Sequence, residues 1–320
     1  MNSNTNTRVL GVAELRVLST RRPARAMTAI ARQWLGIVLA IFAAHWVDTW
    51  WITVLAIVVI ATRQHALAVL MHDGAHGLLL AGRSRNDIVS DLFLAFPLFV
   101  STTLYRRHHL DHHRYLNTDR DPDRDLSALD RSTRDWVKVF LGDASGVNIL
   151  KTVDTLDQFS LLPVLRGNRQ VAAKMGRRPL IMFAGFLAVV VAATVLTSSY
   201  VDLLLYWILP MLTALSFILR LRAVAEHVGC AETGGLEGTR TVLANFVERW
   251  LFSPCRINYH LAHHLYPSVP FYNLPKLHRL LMSNADVRRR AEISDSYLFG
   301  RNSVLSHVKA GYQRRQLEEA

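Results

Sequence analysis

Two long apolar stretches dominate the pattern of hydrophobic and polar positions. The first runs from Trp34 to Thr62 with a break at Asp48, and the second runs from Pro179 to Leu219 with a break near 198–202. Each stretch exceeds the roughly 20 residues that one helix needs to cross a bilayer. A polar break near the middle of each predicts two helical hairpins that cross and return. The predicted spans are about 34–47, 50–70, 179–198 and 201–221, the first of them short enough to borrow residues upstream.

The remainder of the chain shows weaker, mostly helical periodicity. A basic segment covers residues 1–32, and a short apolar run from Asn86 to Val100 is typical of an interfacial helix. A basic tail covers 286–320. Clean strand alternation is nearly missing from the sequence, which favours an all-α fold. We therefore expect one integral membrane domain over 33–285, with a helical cap beside its four transmembrane helices. Buried hairpins of a soluble protein are the alternative.

The formal net charge of +12 is distributed in a way that predicts orientation. Arginines precede and follow both hairpins, whereas the two tight turns contain neither Lys nor Arg. The positive-inside rule then places both termini and the segment between the hairpins in the cytoplasm. The basic residues form no recognisable nucleic-acid module, so attraction to anionic membrane lipid is the simpler explanation. Cys230 and Cys255 form no CxxC pair, which argues against a disulfide framework or a thiolate metal site.

Three histidine clusters carry the candidate chemistry: His72 and His76, then His108 to His113, then His260 to His264. Spacings of three and four residues place imidazoles on one side of a helix, where they can bind a metal. One transition metal takes roughly four to six ligands, so the clusters predict two metal ions. The isolated histidines are assigned no ligand role: His45, His65, His278 and His307.

The ligand type narrows the chemistry without selecting the metal. Imidazole suits Zn, Cu, Fe and Ni. A catalytic zinc site needs only about three protein ligands, so eight or nine histidines favour a redox pair such as di-iron. A membrane zinc hydrolase is a distant alternative, because it would need a glutamate base and Asp73 follows His72 instead. A metal-binding protein without catalysis is another alternative.

The three clusters resemble the histidine boxes of the membrane fatty acid desaturase and hydroxylase superfamily. The segment from Asn258 to Pro267 is the strongest match. The segment from Arg106 to His113, followed by Asn117 and by 121–123, resembles the free-standing bacterial members and the sphingolipid desaturases. The resemblance covers roughly residues 30–285, and it implies four transmembrane helices under a cytosolic cap.

The resemblance also implies a ligand set and an electron supply. Carried over by position, the ligands of two iron ions are His72, His76, His109, His112, His113, His227, His260, His263 and His264. His108 is the alternative to His109. Ala223 stands where acyl-CoA desaturases carry an asparagine, so Glu226 or Asn258 becomes a candidate oxygen donor or supporting group. No cytochrome b5 module and no flavin or NAD fingerprint is visible, so electrons must come from a separate ferredoxin-like or cytochrome b5-like protein and its reductase.

The expected function is O2-dependent oxidation of an aliphatic lipid chain, most simply desaturation of a long-chain fatty acid or acyl lipid. Hydroxylation and terminal-alkene-forming decarboxylation share the same boxes and stay open. Four apolar residues near the first two boxes are candidates for a substrate tunnel: Leu92, Phe93, Phe96 and Phe99. They could equally contact lipid or pack against the hairpins. The expected location is the inner membrane of a bacterium, with the metal site on the cytoplasmic face.

Overall fold

A computed structural model describes residues 9–124, 131–148, 158–231 and 235–318. Its first part contains α1 Val12–Leu18, α2 Pro23–Val47, α3 Trp50–Ala75, α4 Arg83–Ser90, α5 Thr102–Tyr115 and α6 Thr133–Ala144. A π-helical segment Asp91–Ala95 and a 3-10 turn Phe96–Leu98 lie between α4 and α5. Its middle part contains α7 Leu162–Leu165, α8 Arg169–Met175, α9 Arg177–Thr197, α10 Tyr200–Leu203, a π-helical segment Leu204–Ile208, α11 Leu209–Leu212 and α12 Ala214–His227.

The last part is built from shorter elements. They are β1 Arg240–Val242, α13 Phe246–Phe252, a 3-10 turn Pro254–Arg256, α14 His260–Leu265, a 3-10 turn Phe271–Asn273, α15 Leu274–Ser283, α16 Ala285–Arg290, β2 Glu292–Ser294 and α17 Val304–Glu318. The described residues are therefore mostly helical, as the sequence predicts.

Four helical stretches are long and apolar enough to cross a membrane: Pro23–Val47, Trp50–Ala75, Arg177–Thr197 and Tyr200–His227. The first begins at Pro23, upstream of the predicted start of the first span at about residue 34. Proline suits this position because its ring fixes a helical φ and its missing N–H has no partner in the first turn. The predicted boundary at residue 32 consequently falls inside α2. Along α9 the side chains face outward, with Phe183 as its buried residue, which is what a lipid-facing helix requires.

Residues with short side chains and a left-handed backbone conformation end the first and third of these stretches. Asp48 adopts φ 48° and Ser198 adopts φ 53°. The backbone N–H of Asp48 donates to Ala44, which satisfies one of the last carbonyl groups of α2. Short polar side chains tolerate this conformation better than apolar ones, because they can hydrogen-bond locally. The two polar breaks in the sequence therefore coincide with the ends of α2 and α9.

The fourth stretch is not one continuous α-helix. A π-helical segment precedes Pro210, and Thr213 has non-helical dihedral angles before α12 starts. Proline lacks the N–H that a helix interior needs, and the extra residue of a π-turn relieves the clash with the preceding turn. Gln64 of α3 donates to the Trp207 carbonyl at 2.9 Å, which satisfies a backbone group near this irregularity.

A small parallel sheet departs from the all-α expectation. β1 pairs with β2 in the register Arg240 to Glu292 and Val242 to Ser294. Three residues per strand are too few for an alternating pattern to show in the sequence. The buried Arg240 donates to the carbonyls of Ala225 and Val228, which ties the sheet to the end of α12. Tyr297 and Val304, beyond residue 285, belong to the same apolar core as α12.

Candidate metal centre

Five histidines form the first group of possible ligands, called here site A: His72, His76, His109, His113 and His263. One ring nitrogen from each lies within 4.8 Å of the others. The Nε2 atom of His113 is 2.9 Å from Nε2 of His109 and 3.0 Å from Nε2 of His263. Site A therefore draws on α3, α5 and α14.

Four histidines form the second group, called here site B: His112, His227, His260 and His264. The Nε2 atom of His260 is 3.1 Å from Nε2 of His227 and 3.0 Å from Nε2 of His264. Sites A and B adjoin, because the rings of His113 and His264 stack with centroids 4.2 Å apart. The structure thus gathers all nine sequence-predicted ligands into two neighbouring groups.

Helical spacing explains how three boxes serve two sites. In α5 the i, i+4 pair His109 and His113 faces site A, while His112 at i+3 faces site B. In α14 the assignment is reversed: His260 and His264 face site B, and His263 faces site A. Residues three and four apart diverge slightly around the helix axis, and two adjacent sites can use that divergence.

The first box has no residue for site B. His72 and His76 are an i, i+4 pair in site A, and Ala75 occupies the i+3 position. His227, at the end of α12, supplies the remaining imidazole of site B.

The nitrogen atoms of both sites fit metal ions. Nε2 of His72 and Nε2 of His76 are buried and have no hydrogen-bond partner among the residues that the structure describes. A zinc or similar ion binds imidazole nitrogen at about 2.0–2.1 Å, which brings neighbouring ligand nitrogens to roughly 2.8–3.4 Å from one another at ligand angles between about 90° and 109°. The observed Nε2 separations of 2.9–3.1 Å match that range. Without a metal ion, two imidazole nitrogens at this distance repel each other unless one of them carries a proton and donates it to the other.

Asp121 is placed to orient His112. Its Oδ1 atom is 2.8 Å from Nδ1 of His112 and accepts the Asp123 N–H at 2.9 Å. Its Oδ2 atom accepts the Asn117 N–H at 2.8 Å. The Asn117 side chain in turn donates to the carbonyls of Ala231 and Gly238. A carboxylate held in this way fixes the imidazole tautomer and leaves the other ring nitrogen free for a metal.

His108 lies outside both sites. Its Nε2 atom is 2.8 Å from Asp123 Oδ1, and its Nδ1 atom is 3.0 Å from Gln158 Oε1. Of the two alternatives in the second box, the structure therefore places His109 among the other imidazoles. Nothing in the sequence marked Gln158 as a partner.

The two candidate oxygen donors differ in their surroundings. Asn258 donates to the Val242 carbonyl at 2.9 Å, and its Oδ1 atom is buried without a partner among the described residues. Glu226 is buried and accepts from Arg222 Nε at 2.7 Å. Its second carboxylate oxygen lies 3.5 Å from His260 Nε2, beside site B. Arg222 was missed in the sequence, although its i, i+4 spacing from Glu226 is a recognisable helical pair.

Burial sets the protonation of most imidazoles outside the spanning helices. It lowers the pKa of His76 to about 4 and that of His113 to about 3, with further lowering by Arg106 and by neighbouring histidines respectively. Burial also lowers the pKa of four more site residues: His109, His260, His263 and His264. Neutral imidazoles are the form that binds metal.

His112 is the exception among these imidazoles. Burial acts to lower its pKa, but the Asp121 hydrogen bond and the charge of Asp123 outweigh burial, so the pKa is raised. A positive ion at site B would compete with that proton. The carboxylates beside His112 would then balance the charge of the metal instead.

The tunnel candidates gather near α9. Phe96 is fully buried, and its ring lies 5.3 Å from that of Phe183. Leu92 and Phe99 pack against the same apolar cluster, which also contains Leu104. Leu92 and Phe93 line an apolar groove of about 510 Å³, and the side chain of Phe93 is 50% exposed.

This apolar region borders site A through the residue after Leu104. The Tyr105 ring stacks on His109 with centroids 5.3 Å apart. The isolated histidines lie elsewhere: His45 pairs with Asp202 at 3.2 Å, and His278 contacts the Tyr259 ring.

Comparison with known proteins gives consistent matches. A sequence model described as fatty acid desaturase matches residues 48–294, which include all nine histidines of sites A and B. Dihydrorhizobitoxine desaturase of Bradyrhizobium elkanii is 30% identical over 323 residues, covering 93% of this chain and 88% of that protein. Sphingolipid delta(4)-desaturase/C4-monooxygenase DES2 of Homo sapiens is 24% identical over 222 residues, covering 68% of this chain and 62% of that protein.

Proposed function

Because the chain belongs to the fatty acid desaturase family, we propose that it is a membrane-bound di-iron oxidoreductase that desaturates the aliphatic chain of a fatty acid or acyl lipid. The observation that carries this proposal is the division of nine histidines into adjoining groups of five and four. One ion per group uses every imidazole of the three boxes except His108, together with His227. Neither a three-ligand zinc site nor a single surface metal explains that number.

The chain's own residues would hold and orient the metal pair. Site A would bind one iron through imidazole alone. Site B has one imidazole fewer, and the Glu226 carboxylate, held by Arg222, is the proposed source of an oxygen ligand or of a hydrogen bond to a bound water. Bound iron would supply activation of O2 with two external electrons. Burial of the imidazoles excludes bulk water from the reacting centre, which protects a reactive oxidant from side reactions.

The proposed topology is the one that the charges predict. Two hairpins, α2 with α3 and α9 with the Tyr200–His227 stretch, would cross the bilayer. The elements that carry sites A and B would form a cap on the cytoplasmic face of a bacterial inner membrane. A ferredoxin-like or cytochrome b5-like donor would reach the irons from that side. The basic charge of the chain suits an acidic donor.

The proposed substrate keeps its head group at the interface and inserts its alkyl tail beside site A. Phe96 and Phe99 are proposed to line that path, since their cluster borders Tyr105 and His109. Replacing Phe96 with Ala would then shift the oxidised position or the preferred chain length. If neither Phe96→Ala nor Phe99→Ala changes the oxidised position or the preferred chain length, these residues do not line the path.

Hydroxylation is the second candidate outcome at the same site. The name of the human relative combines a desaturase with a C4-monooxygenase, so one scaffold of this family is associated with both reactions. The name of the Bradyrhizobium relative points to dihydrorhizobitoxine instead of a fatty acid. The product analysis should therefore look for hydroxylated lipid and for terminal alkenes, and it should include dihydrorhizobitoxine as a substrate.

The test combines metal analysis with product analysis. Protein purified from iron-replete cells should contain about two Fe per chain. Cells that express it should accumulate unsaturated acyl chains, and His264→Ala should abolish them and lower the iron content. His278→Ala, a histidine outside both sites, is the matched control and should retain iron and product.

Three results would change the proposal. Zinc alone, with no O2 consumption, would support a hydrolase or a metal-binding protein. Hydroxylated lipid or terminal alkene as the main product would replace desaturation with the corresponding alternative. Turnover of dihydrorhizobitoxine, with no change in cellular lipid, would overturn the lipid substrate.

A further inference from the structure

A second, smaller cavity lies away from both histidine groups. It has a volume of about 250 Å³ and is bounded by α2, α3, α13 and the turn Pro254–Arg256. Its polar lining consists mainly of Gln33, Arg63, Arg249 and Arg256, and Trp250 forms an aromatic wall. Three guanidinium groups around one cavity make it a candidate anion site.

Arg63 is held at the cavity by neutral partners. Its Nη1 atom donates to Gln33 Oε1 at 3.2 Å, and its Nη2 atom donates to the Trp250 carbonyl at 3.3 Å. Its guanidinium also lies over the Trp250 ring at 4.9 Å, within cation–π range. Gly36 of α2 makes room for its stem, since a Cβ there would be 3.2 Å from Arg63 Cδ. The side chain is thus positioned, but its charge is not neutralised by these contacts.

The other two arginines add charge without a protein counter-charge. Arg249 donates to the Ala244 carbonyl at 3.0 Å. Arg256 is exposed and follows a turn in which Cys255 and Arg256 have φ of 52° and 62°. Over the described ranges of the chain, no carboxylate forms a salt bridge within 4.0 Å with any of the three. A cluster of cations without anions is unfavourable until an anion binds.

With α3 spanning the bilayer, the cavity lies in the half nearer the histidine groups, within reach of a phospholipid head group. Arg63 lies about 20 Å along α3 from Trp50, at 1.5 Å per residue, whereas a bilayer's hydrocarbon core is about 30 Å thick. Apolar side chains stand exposed beside the cavity on α13, including Phe246 at 75% and Val247 at 60%. An ionisable side chain in such a position needs a partner or must extend towards the headgroups. Both features indicate that the missing anion comes from the membrane.

We propose that this cavity binds the phosphate of an anionic phospholipid from the bilayer leaflet on the side of the histidine groups. Arg63, Arg249 and Arg256 contact the phosphate oxygens, and Phe246 and Val247 contact the acyl chains. The volume is smaller than the ~300–1,000 Å³ typical of sites that enclose a whole small molecule, which fits a head group. The proposal requires membrane insertion of α2 and α3, but it is independent of the metals and of the reaction.

The test measures lipid binding by the full-length protein. Protein purified and delipidated in a mild neutral detergent is titrated with phosphatidylglycerol or with phosphatidylcholine, and bound lipid is counted by native mass spectrometry. Phosphatidylglycerol should bind saturably with one tight site per chain, and phosphatidylcholine should not. Arg249→Gln combined with Arg256→Gln should weaken that site about 30-fold, at about fivefold per arginine.

Matched variants separate the cavity from general surface charge. Arg288→Gln combined with Arg289→Gln removes the same charge from exposed positions on α16 and should leave the tight site unchanged. Equal weakening by both double variants would overturn the proposal. Iron content and turnover, measured on the same samples, should be unchanged by Arg249→Gln with Arg256→Gln, so failure here is distinct from failure of the di-iron proposal.

Two competitors identify the source of the anion. Inorganic phosphate in the millimolar range should not displace phosphatidylglycerol, because it lacks the acyl chains. A long-chain fatty acid should not displace it either. Displacement by inorganic phosphate would overturn the assignment to a membrane lipid. Displacement by the fatty acid, together with a raised KM in Arg249→Gln/Arg256→Gln, would reassign the cavity to the substrate carboxylate.

Discussion

At the scale of single residues, the position of each histidine within its box decides which site it faces. The sequence clusters already contain eight of the nine, and they predict two metals from their number. It does not predict that His112 and His263 cross to the opposite site from their box partners, because that depends on how α5 and α14 approach each other. His227 stands alone in the sequence and is found only through the family resemblance. His227 supplies the ligand that the first box does not give to site B, because Ala75 occupies the i+3 position of that box.

Asp121 illustrates a role that spacing alone does not reveal. Asp111, Asp119 and Asp123 are equally close in sequence, and any of them could be a solvated charge. The fold selects Asp121 because the Asn117 N–H and the Asp123 N–H both donate to it and direct its Oδ1 to His112. Such partners orient metal-binding imidazoles in many proteins.

Asp121→Asn should therefore lower the metal affinity of site B by about 10–100-fold. The amide nitrogen would donate to Nδ1 of His112 and leave the proton on Nε2, the nitrogen proposed to bind metal. Iron analysis after dialysis against a weak chelator should give about one Fe per chain instead of two. Asp119→Asn is the control, because that side chain is 90% exposed and should retain both irons. Full iron retention in Asp121→Asn would exclude the orienting role.

The lowered pKa values of the imidazoles predict how the metal-free protein responds to acid. His76, His109, His113, His260 and His263 have folded-state pKa values below the ordinary value of about 6.5. Between that value and the folded values, the unfolded chain binds more protons, so stability falls as the pH falls. Burial lowers the pKa of His264 as well, so His112, whose raised pKa contributes with the opposite sign, is one group against six.

Chelator-treated protein should consequently lose thermal stability between pH 7.5 and pH 5.5. Each lowered group contributes up to about 1.4 kcal/mol per pH unit below 6.5, so a fall in Tm of about 4 °C or more is expected. Differential scanning fluorimetry in detergent measures it. His45→Ala serves as the control, since the His45 side chain is 55% exposed and lies outside both sites. A Tm that rises on acidification would contradict the protonation states assigned here.

At the scale of elements, the four spans and their reversals follow from hydropathy and from the polar residues at each break. The upstream extension to Pro23 was expected because the first apolar run was short. The break at Thr213 and the π-helical segment before Pro210 were not predicted, because their hydrogen bonds are completed by other helices. The pairing of β1 with β2 was also not predicted, since three residues carry no readable alternation.

Gln64 connects α3 to this irregular region and gives an element-scale prediction. Gln64→Leu removes the donor to the Trp207 carbonyl and should destabilise the protein by about 1–3 kcal/mol, the cost of leaving a buried polar group unsatisfied. Chemical or thermal denaturation in detergent measures the change. Thr194→Val is the matched control: its hydroxyl donates to Val190 of its own helix, and its loss should cost less. Equal losses in the two variants would exclude a special role for the Gln64 contact.

At the scale of the whole molecule, the basic residues and the histidine groups lie at the same ends of the four long helical stretches. Sites A and B lie where α3 and α12 end and where α5 and α14 approach them, at the ends opposite the turns near Asp48 and Ser198. Exposed Trp46 and Trp50, at 78% and 79%, flank the first turn, as expected for side chains at a membrane–water interface. The proposed electron donor would therefore meet the opposite face, where sites A and B lie.

This arrangement predicts which surface positions are accessible from each side of the membrane. Single cysteines at Asp48 and Ser199, introduced with Cys230 and Cys255 replaced by Ser, should react in intact bacterial cells with a membrane-impermeant maleimide. A cysteine at Asn302, in the loop before α17, should react only after the membrane is permeabilised. The reason is that the two turns carry no Lys or Arg, whereas basic residues flank the other ends of the spans. Labelling of Asn302 in intact cells, with Asp48 and Ser199 protected, would reverse the topology and separate the metal centre from cytoplasmic donors.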